Sequence, residues 1–375
     1  MKVSVPRDNL AYGLSVVGRA VSTRSTNPIL RNVLLATDEG LLRLSATDME
    51  LAITCWVEPE SIAEEGATTV EARLFTNLVN TLPNDIIHLH YDEAHEVLIV
   101  ETSNSHNELR CLPADDFPPL TVADDAPAVT MPAALWREVV QQVAFAAAED
   151  DARPTLMGVS VQVQDGHMEF AATDGYRLSV RRIDLEAAPG VDWKVVVPAR
   201  ALNELARIAA KTAGDVRFSV LPERQQAVFR TDHAEVVSQL IAGQFPDYQR
   251  IIPQGYNTRV IVARDAFLAA CRRAEVFASE GNNIVKLVIQ AGDDAPGVME
   301  VSGAADEKGS SATRLTAVVE GDDITIAFNV KFLREALEVV PTPDVALELI
   351  APENPGVLRP VGRDDFLHLI MPVKI

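Results

Sequence analysis

The sequence predicts an α+β protein made of three copies of one unit, each placing two helices on one face of an antiparallel sheet. Two observations lead there: short motifs recur at a nearly constant offset, and hydrophobic periods of two and of 3.6 alternate in the same order each time. The clearest recurrence joins Leu44-Ser-Ala-Thr-Asp-Met-Glu-Leu51 to Phe170-Ala-Ala-Thr-Asp-Gly-Tyr-Arg-Leu178, Asp174 standing 126 residues after Asp48. Leu135 stands 125 after Leu10, Ala199-Arg200 stands 127 after Ala72-Arg73, and Phe245-Pro246 stands 128 after Phe117-Pro118. A fainter third round puts Phe267 132 after Leu135, Lys331 131 after Arg200 and Met371 131 after Leu240, with Ala304-Ala305 where the Thr-Asp should be. Three collinear rounds in 375 residues give units of about 125 residues, an ordinary domain size. The expected domains are 1–124, 125–253 and 254–375, joined through Asp115 to Pro127 and Pro246 to Tyr256, stretches rich in proline, acids or turn formers.

Each element follows from local pattern. In the first copy Lys2 to Val5 alternates as a strand, and Leu10, Leu14, Val17 and Val21 have helical spacing. Val33 to Leu35 and Leu41 to Ser45 read as a hairpin, and Val70 to Leu82 opens the second helix. Ile86 to His90 and Val97 to Glu101 then alternate as strands around Asp92-Glu93-Ala94. The second copy repeats this with helices at Leu135 to Phe145 and Ala201 to Ala210, and strands at Val216 to Val220 and Ala227 to Arg230. The third has helices at Phe267 to Phe277 and Phe332 to Val340, and strands at Val285 to Gln290 and Val298 to Ser302. In the central hairpin Asp174-Gly175 supplies two residues that tolerate positive φ between apolar runs, the pattern of a tight turn.

Composition narrows the function. An apolar share of 47% with 23% charged residues is ordinary for a globular protein. Cys55, Cys111 and Cys271 are isolated and odd in number, which argues against a disulfide framework or a zinc site and for a reducing cytoplasm. The start turns polar before a signal-peptide core could form, and no run of 18 apolar residues follows, so neither export nor a membrane is expected. His88-Leu-His90-Tyr-Asp92-Glu-Ala-His95 imitates a metallo-hydrolase motif, and two histidines two apart share a strand face. Glu93 stands where a histidine should follow the aspartate, and an alternating strand is the simpler account. Gly-x-Ser-x-Gly, Gly-x-Gly-x-x-Gly, phosphate-loop and His-Glu-x-x-His motifs do not occur, so no catalytic machinery is visible.

A net charge of −21 argues at first sight against nucleic acid, but its distribution matters more. The helical segments 7–24, 73–82, 132–145, 200–211, 264–277 and 331–340 carry 13 Arg or Lys against 7 Asp or Glu, a balance of +6. A mildly basic helical face on an acidic body can pass along a polyanion without gripping it, because each neutralised phosphate adds affinity. The alternatives are that these cations fill the solvent faces of amphipathic helices, or that the chain is a repeat scaffold binding proteins only.

Thr26-Asn-Pro-Ile-Leu30, Ala172-Thr-Asp-Gly-Tyr-Arg-Leu178, Gly243-Gln-Phe-Pro-Asp-Tyr248, Phe328-Asn-Val330 and Met371-Pro372 together resemble the bacterial sliding clamp family, the beta subunit of DNA polymerase III, across the whole chain. The resemblance implies the DNA clamp fold and a head-to-tail homodimer whose six domains close into a ring, sheets outside and helices inside around double-stranded DNA. It implies no catalysis, cofactor or metal. The expected partners are duplex DNA held by topology, the replicative DNA polymerase, an ATP-driven clamp loader, and repair polymerases and other proteins with clamp-binding peptides. Implied DNA-facing residues are Arg24, Arg73, Arg137, Arg153, Arg200, Arg207, Lys211, Arg272, Lys331 and Arg334, of which Arg24, Arg73 and Arg200 match best. Asp150 and Asp151 beside Arg153 weigh against that loop.

A peptide-binding cleft is implied at Leu156, Thr173, Gly175, Tyr176, Arg177, Leu178, Pro246, Arg250, Ile251, Asn329, Phe332, Leu369, Ile370, Met371 and Pro372. Tyr176 departs from the histidine of many relatives, and Lys331-Phe332 from a small residue followed by tyrosine, which shifts the expected peptide preference. Met49-Glu50 after the first Thr-Asp, and the loss of the third, imply one cleft per chain. Subunit contact is implied at Leu82, Leu109, Val276 and Phe277.

Overall fold

The computed structural model describes residues 1–22, 25–121, 126–150, 152–185, 190–292, 296–305 and 308–374. The first third of the chain runs β1 (Lys2–Pro6), α1 (Arg7–Val17), β2 (Asn32–Asp38), β3 (Leu41–Thr47), β4 (Leu51–Val57), β5 (Ser61–Glu64), β6 (Ala67–Glu71), α2 (Ala72–Thr81), β7 (Ile86–Asp92), β8 (Val97–Thr102) and β9 (Ser105–Leu112). The second runs β10 (Ala128–Pro132), α3 (Ala133–Val143), β11 (Gly158–Gln164), β12 (His167–Thr173), β13 (Arg177–Asp184), β14 (Trp193–Pro198), α4 (Ala199–Ala209), β15 (Asp215–Leu221), β16 (Gln226–Arg230) and β17 (Ala234–Gln239). The third runs β18 (Thr258–Ala263), α5 (Arg264–Ala278), β19 (Ile284–Gln290), β20 (Gly297–Ala305), β21 (Gly309–Gly321), β22 (Ile324–Asn329), α6 (Val330–Val339), β23 (Asp344–Leu349), β24 (Gly356–Pro360) and β25 (Phe366–Ile370).

By contacts the chain divides into two compact units, Met1–Arg137 with Arg200–Leu240, and Glu138–Ala199 with Ile241–Ile375. Each unit is built on one antiparallel sheet. In the first, 13 strands run in the order β10-β15-β16-β17-β4-β3-β2-β6-β9-β8-β7-β1-β5. In the second, 12 strands run β14-β11-β12-β13-β25-β24-β23-β18-β21-β20-β19-β22. The second sequence copy therefore contributes strands to both units, because its β17 joins β4 and its β13 joins β25. Backbone hydrogen bonding runs on across each copy boundary, which contact alone does not resolve into three bodies.

The predicted helices are all present, close to the expected bounds. Several begin directly at the end of a strand: β6 runs into α2, with the Glu71 side chain capping the Leu74 N–H at 2.5 Å, a helix start that satisfies an otherwise orphaned donor. The helix expected from Val70 to Leu82 therefore starts later, at Ala72, and Val70 belongs to β6. The expected one-helix span of 10–21 is shorter in the structure, α1 ending at Val17 and a 3₁₀ turn following at Gly18–Ala20.

The core of the first unit includes Trp136 edge-on to Phe218 and Phe229 at 5.7 and 5.5 Å, those two rings stacking at 4.9 Å. In the second unit Phe267, Leu268, Cys271 and Ala274 of α5 and Leu333, Ala336 and Leu337 of α6 close over Leu287, Val301, Ile326 and Leu347 of the sheet. Burial pushes the Cys55 and Cys271 thiols up to about 12. His88 bonds Ser4 at 2.8 Å and His95 pairs with Asp92 at 2.8 Å, which accounts for the histidine motif locally. Among the described residues no helix is long and apolar enough to cross a membrane.

Candidate functional site

The Thr-Asp repeat turns out to be one turn built twice. In the second copy Thr173 Oγ1 donates to the Arg177 carbonyl at 2.5 Å and accepts from the Gly175 N–H at 3.0 Å. Asp174 Oδ1 accepts from the N–H groups of Tyr176 and Arg177 at 2.9 and 3.1 Å. In the first copy Thr47 bonds the Leu51 carbonyl and the Met49 N–H, and Asp48 bonds the N–H groups of Glu50 and Leu51 at 3.1 and 2.8 Å. The Thr and Asp side chains replace backbone partners in a four-residue loop. This corrects the expectation of two positive-φ residues: Gly175 alone has positive φ, at +93°, and the Asp is needed for its carboxylate.

Beyond the turn, β13 pairs with β25, Arg177 opposite Ile370, Leu178 opposite Leu369, and Ser179 opposite His368. The Met371 N–H continues the ladder by donating to the Tyr176 carbonyl at 2.8 Å, and the Val373 N–H reaches the Ala327 carbonyl at 2.8 Å. The expected meeting of the hairpin with the C-terminal tail is therefore present. Alternation along the strands then sorts the fifteen cleft candidates onto two faces. On one face Leu178 and Leu369 pack with Leu156, Ala171, Phe245, Tyr248 and Val357 in a small apolar cluster. Tyr176, Ile251 and Met371 stand exposed beside it, with Pro246 and Arg250 also exposed, Arg250 paired to Asp247 at 2.7 Å.

On the other face Ile370 belongs to the core under α5 and α6, and so do the neighbours of Arg177. Arg177 is only 7% exposed. Its guanidinium lies between the rings of Phe145 and Phe332, 5.2 and 4.5 Å from their centroids, and bonds Asp174 at 3.0 Å, the Phe145 carbonyl at 2.7 Å, and Glu335. Arg177 and Ile370 are thus buried on the side of the seam that meets α6, with Phe332 half-buried beside them. Asn329 caps α6, accepting from the Lys331 N–H at 2.9 Å. His368 is fully buried behind the seam, bonds Ser179 at 2.6 Å, and is held down to about 3 by burial and then by the Arg177 charge. Phe245, Tyr248 and Val357 were missed as cleft walls, although the first two lie inside the Gly-Gln-Phe-Pro-Asp-Tyr motif.

The same seam exists in the first unit, where Ala52 opposes Val237 as Leu178 opposes Leu369. Its counterpart cavity, about 140 Å³, is lined by Thr47, Met49, Glu50, Ala52, Val237 and Gln239, and by Pro118 to Thr121 of the chain itself. Alanine for leucine and a glutamate in the place of Tyr176 make it a different surface from the second seam.

The helices carry the expected basic residues, but most are spoken for. All seven acids of the helical segments are paired: Asp8 with Arg7, Glu138 with Arg363, Glu204 with Arg207, Asp265 with Arg264, Glu275 with Arg334, Glu335 with Lys331, and Glu338 with Arg272. Arg200, one of the best-matched candidates, bonds Asp48 at 2.6 Å and the Arg19 carbonyl at 3.0 Å. Arg153 donates to the Asp174 carbonyl at 2.8 Å. Lys211 sits 5.1 Å above the Tyr12 ring. Arg73 and Arg137 are exposed and have no ion pair among the described residues; Arg24 lies outside them.

Of the residues expected at a subunit contact, Leu82 and Leu109 are 9% and 6% exposed and belong to the interior of the first unit, whereas Val276 is 65% exposed. Phe277 is half-buried near Gly309. Two strands do offer open edges. Among the described residues β9 bonds β6 only at Cys111 and Leu112, leaving the other side of Ser105–Arg110 unpaired there. Among the described residues β21 bonds β18 only from Val318 on, leaving one side of Gly309–Ala317 unpaired.

Repeated two-helix units on long antiparallel sheets, with a turn-and-tail cleft at a strand seam, define the three-domain DNA clamp fold. Comparison with known proteins agrees. Family models of the DNA polymerase III beta subunit match in series, the N-terminal domain at residues 1–121, the central domain at 130–247 and the C-terminal domain at 249–374. The chain belongs to this family. It is 33% identical over 378 residues to the beta sliding clamp of Synechococcus elongatus and 29% identical over 383 residues to that of Staphylococcus aureus, 99–100% of each chain being covered. Among solved structures it is similar to the DNA polymerase sliding clamp of Bacillus subtilis (TM-score 0.93, 26% identity, 100% of this chain and 99% of that one). The DNA polymerase III subunit beta of Pseudomonas aeruginosa is similar too (TM-score 0.91, 27% identity, 100% of both chains).

Proposed function

We propose that this chain is a DNA sliding clamp: two copies close head to tail into a ring around duplex DNA, and the cleft beside β13 and β25 tethers replication and repair proteins by short peptides. The observation that carries the tether is the second seam, where an apolar cluster is rimmed by exposed Tyr176, Ile251 and Met371, the arrangement that suits apolar anchors set among a few polar groups. The replicative polymerase, a clamp loader and repair polymerases are the partners of this reading, and the protein works in the cytoplasm as a tether, not a catalyst. The domains are 1–124, 125–253 and 254–375. Ring closure uses the open edges of β9 and β21 together with exposed Val276 on α5, since a head-to-tail ring of two copies closes through two identical heterologous contacts and an unpaired strand edge is a template for another chain.

Mildly basic helices fit a ring that holds DNA by topology. With the helical acids paired internally, Arg73, Arg137 and Lys211, and Lys331 and Arg334 on α6, are the phosphate contacts of this reading, Arg24 joining them by family resemblance. Phosphate contacts position without reading sequence.

The tether is tested by removing Met371 to Ile375 and titrating a Gln-Leu-x-Leu-Phe peptide calorimetrically. Burying one Leu or Phe anchor contributes about 1.5–3 kcal/mol, so the intact chain should bind one peptide and the truncated chain should bind it more than about tenfold more weakly. Equal affinity in the two, or two or three peptides per intact chain, contradicts the assignment.

A further inference from the structure

We propose that Glu335 is a positioning residue that couples the peptide cleft to the helical lining, so that duplex DNA lying against α6 tightens peptide binding. The inference rests on the clamp reading above and deepens it. Its basis is one shared carboxylate. Glu335 Oε2 accepts from Arg177 Nη1 on the seam side, while Oε1 lies 3.8 Å from both Lys331 Nζ and Arg334 Nη2 on the helix surface. Arg177 is buried, and its Nε and Nη2 donate to Asp174 and the Phe145 carbonyl. Asp174 in turn fixes the N–H groups of Tyr176 and Arg177, and the Tyr176 carbonyl holds Met371. The rim of the cleft is thus tied through Arg177 to a single glutamate on α6.

On the other side the cations are exchangeable. Arg334 also pairs with Glu275 at 2.9 Å and Glu338 at 3.1 Å, and Lys331 is exposed. A carboxylate shared between a buried guanidinium and two solvent-side cations is a competition, and the buried partner gains most from undivided charge because screening is weakest there. When phosphates draw off Lys331 and Arg334, the charge of Glu335 falls on Arg177. The Asp174 turn is then held more firmly, and a peptide has less to order on binding. The coupling is reciprocal, so peptide must raise DNA affinity by the same factor.

The test measures anisotropy of a labelled Gln-Leu-x-Leu-Phe peptide on the full-length protein, with and without excess short duplex at low salt. Wild type should bind about fivefold more tightly with duplex, the low end of ordinary coupling. Glu335→Gln, which keeps the volume and loses the charge, should bind more weakly and show no rise. The double variant Lys331→Ala, Arg334→Ala should show the raised affinity with no DNA present, and this arm stands alone if Glu335→Gln fails to fold. Unchanged wild-type affinity while duplex binding is seen, a full rise in Glu335→Gln, or no gain in the double variant overturns the coupling. Failure of wild type to bind peptide at all overturns the clamp reading itself.

Discussion

Met49 and Gly175 occupy the same place in two copies of one turn, and only one of them is free to adopt its shape. Met49 has φ +79° and Gly175 φ +93°. A side chain in the left-handed region costs about 1–2 kcal/mol, partly offset at Met49 by the lower chain entropy of a non-glycine residue. A Cβ at Gly175 would also meet Arg153 Nη1 at 2.8 Å. Equivalent positions therefore predict opposite signs: Gly175→Ala should lower the melting temperature and Met49→Gly should raise it or leave it unchanged, as read by thermal unfolding. A stabilising Gly175→Ala would show that the turn is not what the Thr-Asp repeat preserves. At this scale the sequence was informative about identity and silent about partners. Thr173, Asp174 and Gly175 could be read off as a turn, whereas the use of Arg177 and Arg200 as internal ties depends on Glu335 and Asp48, 158 and 152 residues away, which no local pattern reveals.

The β13–β25 ladder is the element on which the site depends, and its hidden face is unusually polar. Arg177, Ser179 and Arg181 alternate along that face of β13 and are all buried, with His368 of β25 bonded to Ser179. Arg181 is paired to Asp365 and lies 3.6 Å from Glu138. The His368 value of about 3 lies below the ordinary histidine value of about 6.5. Between those limits the unfolded chain binds a proton that the folded chain does not, so stability falls as pH falls, by at most about 1.4 kcal/mol per pH unit for this one group. Lowering pH from about 7 to about 5 should cost wild type more melting temperature than His368→Asn, which can keep a bond to Ser179; parallel losses would remove His368 as the cause. The strands themselves were legible from alternation. What alternation could not supply was which face of the ladder meets helices, and so the cleft residues of both faces were grouped together.

For the whole molecule, collinear repeats carried the architecture, because the same supersecondary unit recurs in the same order and the resemblance spans all 375 residues. The contact partition into two units was not legible, since the joins β4–β17 and β13–β25 are made between strands distant in sequence. Nor was the burial of Leu82 and Leu109 within a single chain. In the ring proposed above, closure falls to exposed Val276 and the open edges of β9 and β21. On the proposed function, a closed ring, and not affinity for phosphate, keeps the protein on DNA. The direct measurement is retention on nicked circular DNA after loading, at moderate salt, before and after the circle is cut. Wild type should stay on the circle and leave once ends are made, and Val276→Asp, which puts a charge into the closing contact, should be lost from both. Equal retention of wild type on circular DNA and on linear DNA with free ends would contradict the ring.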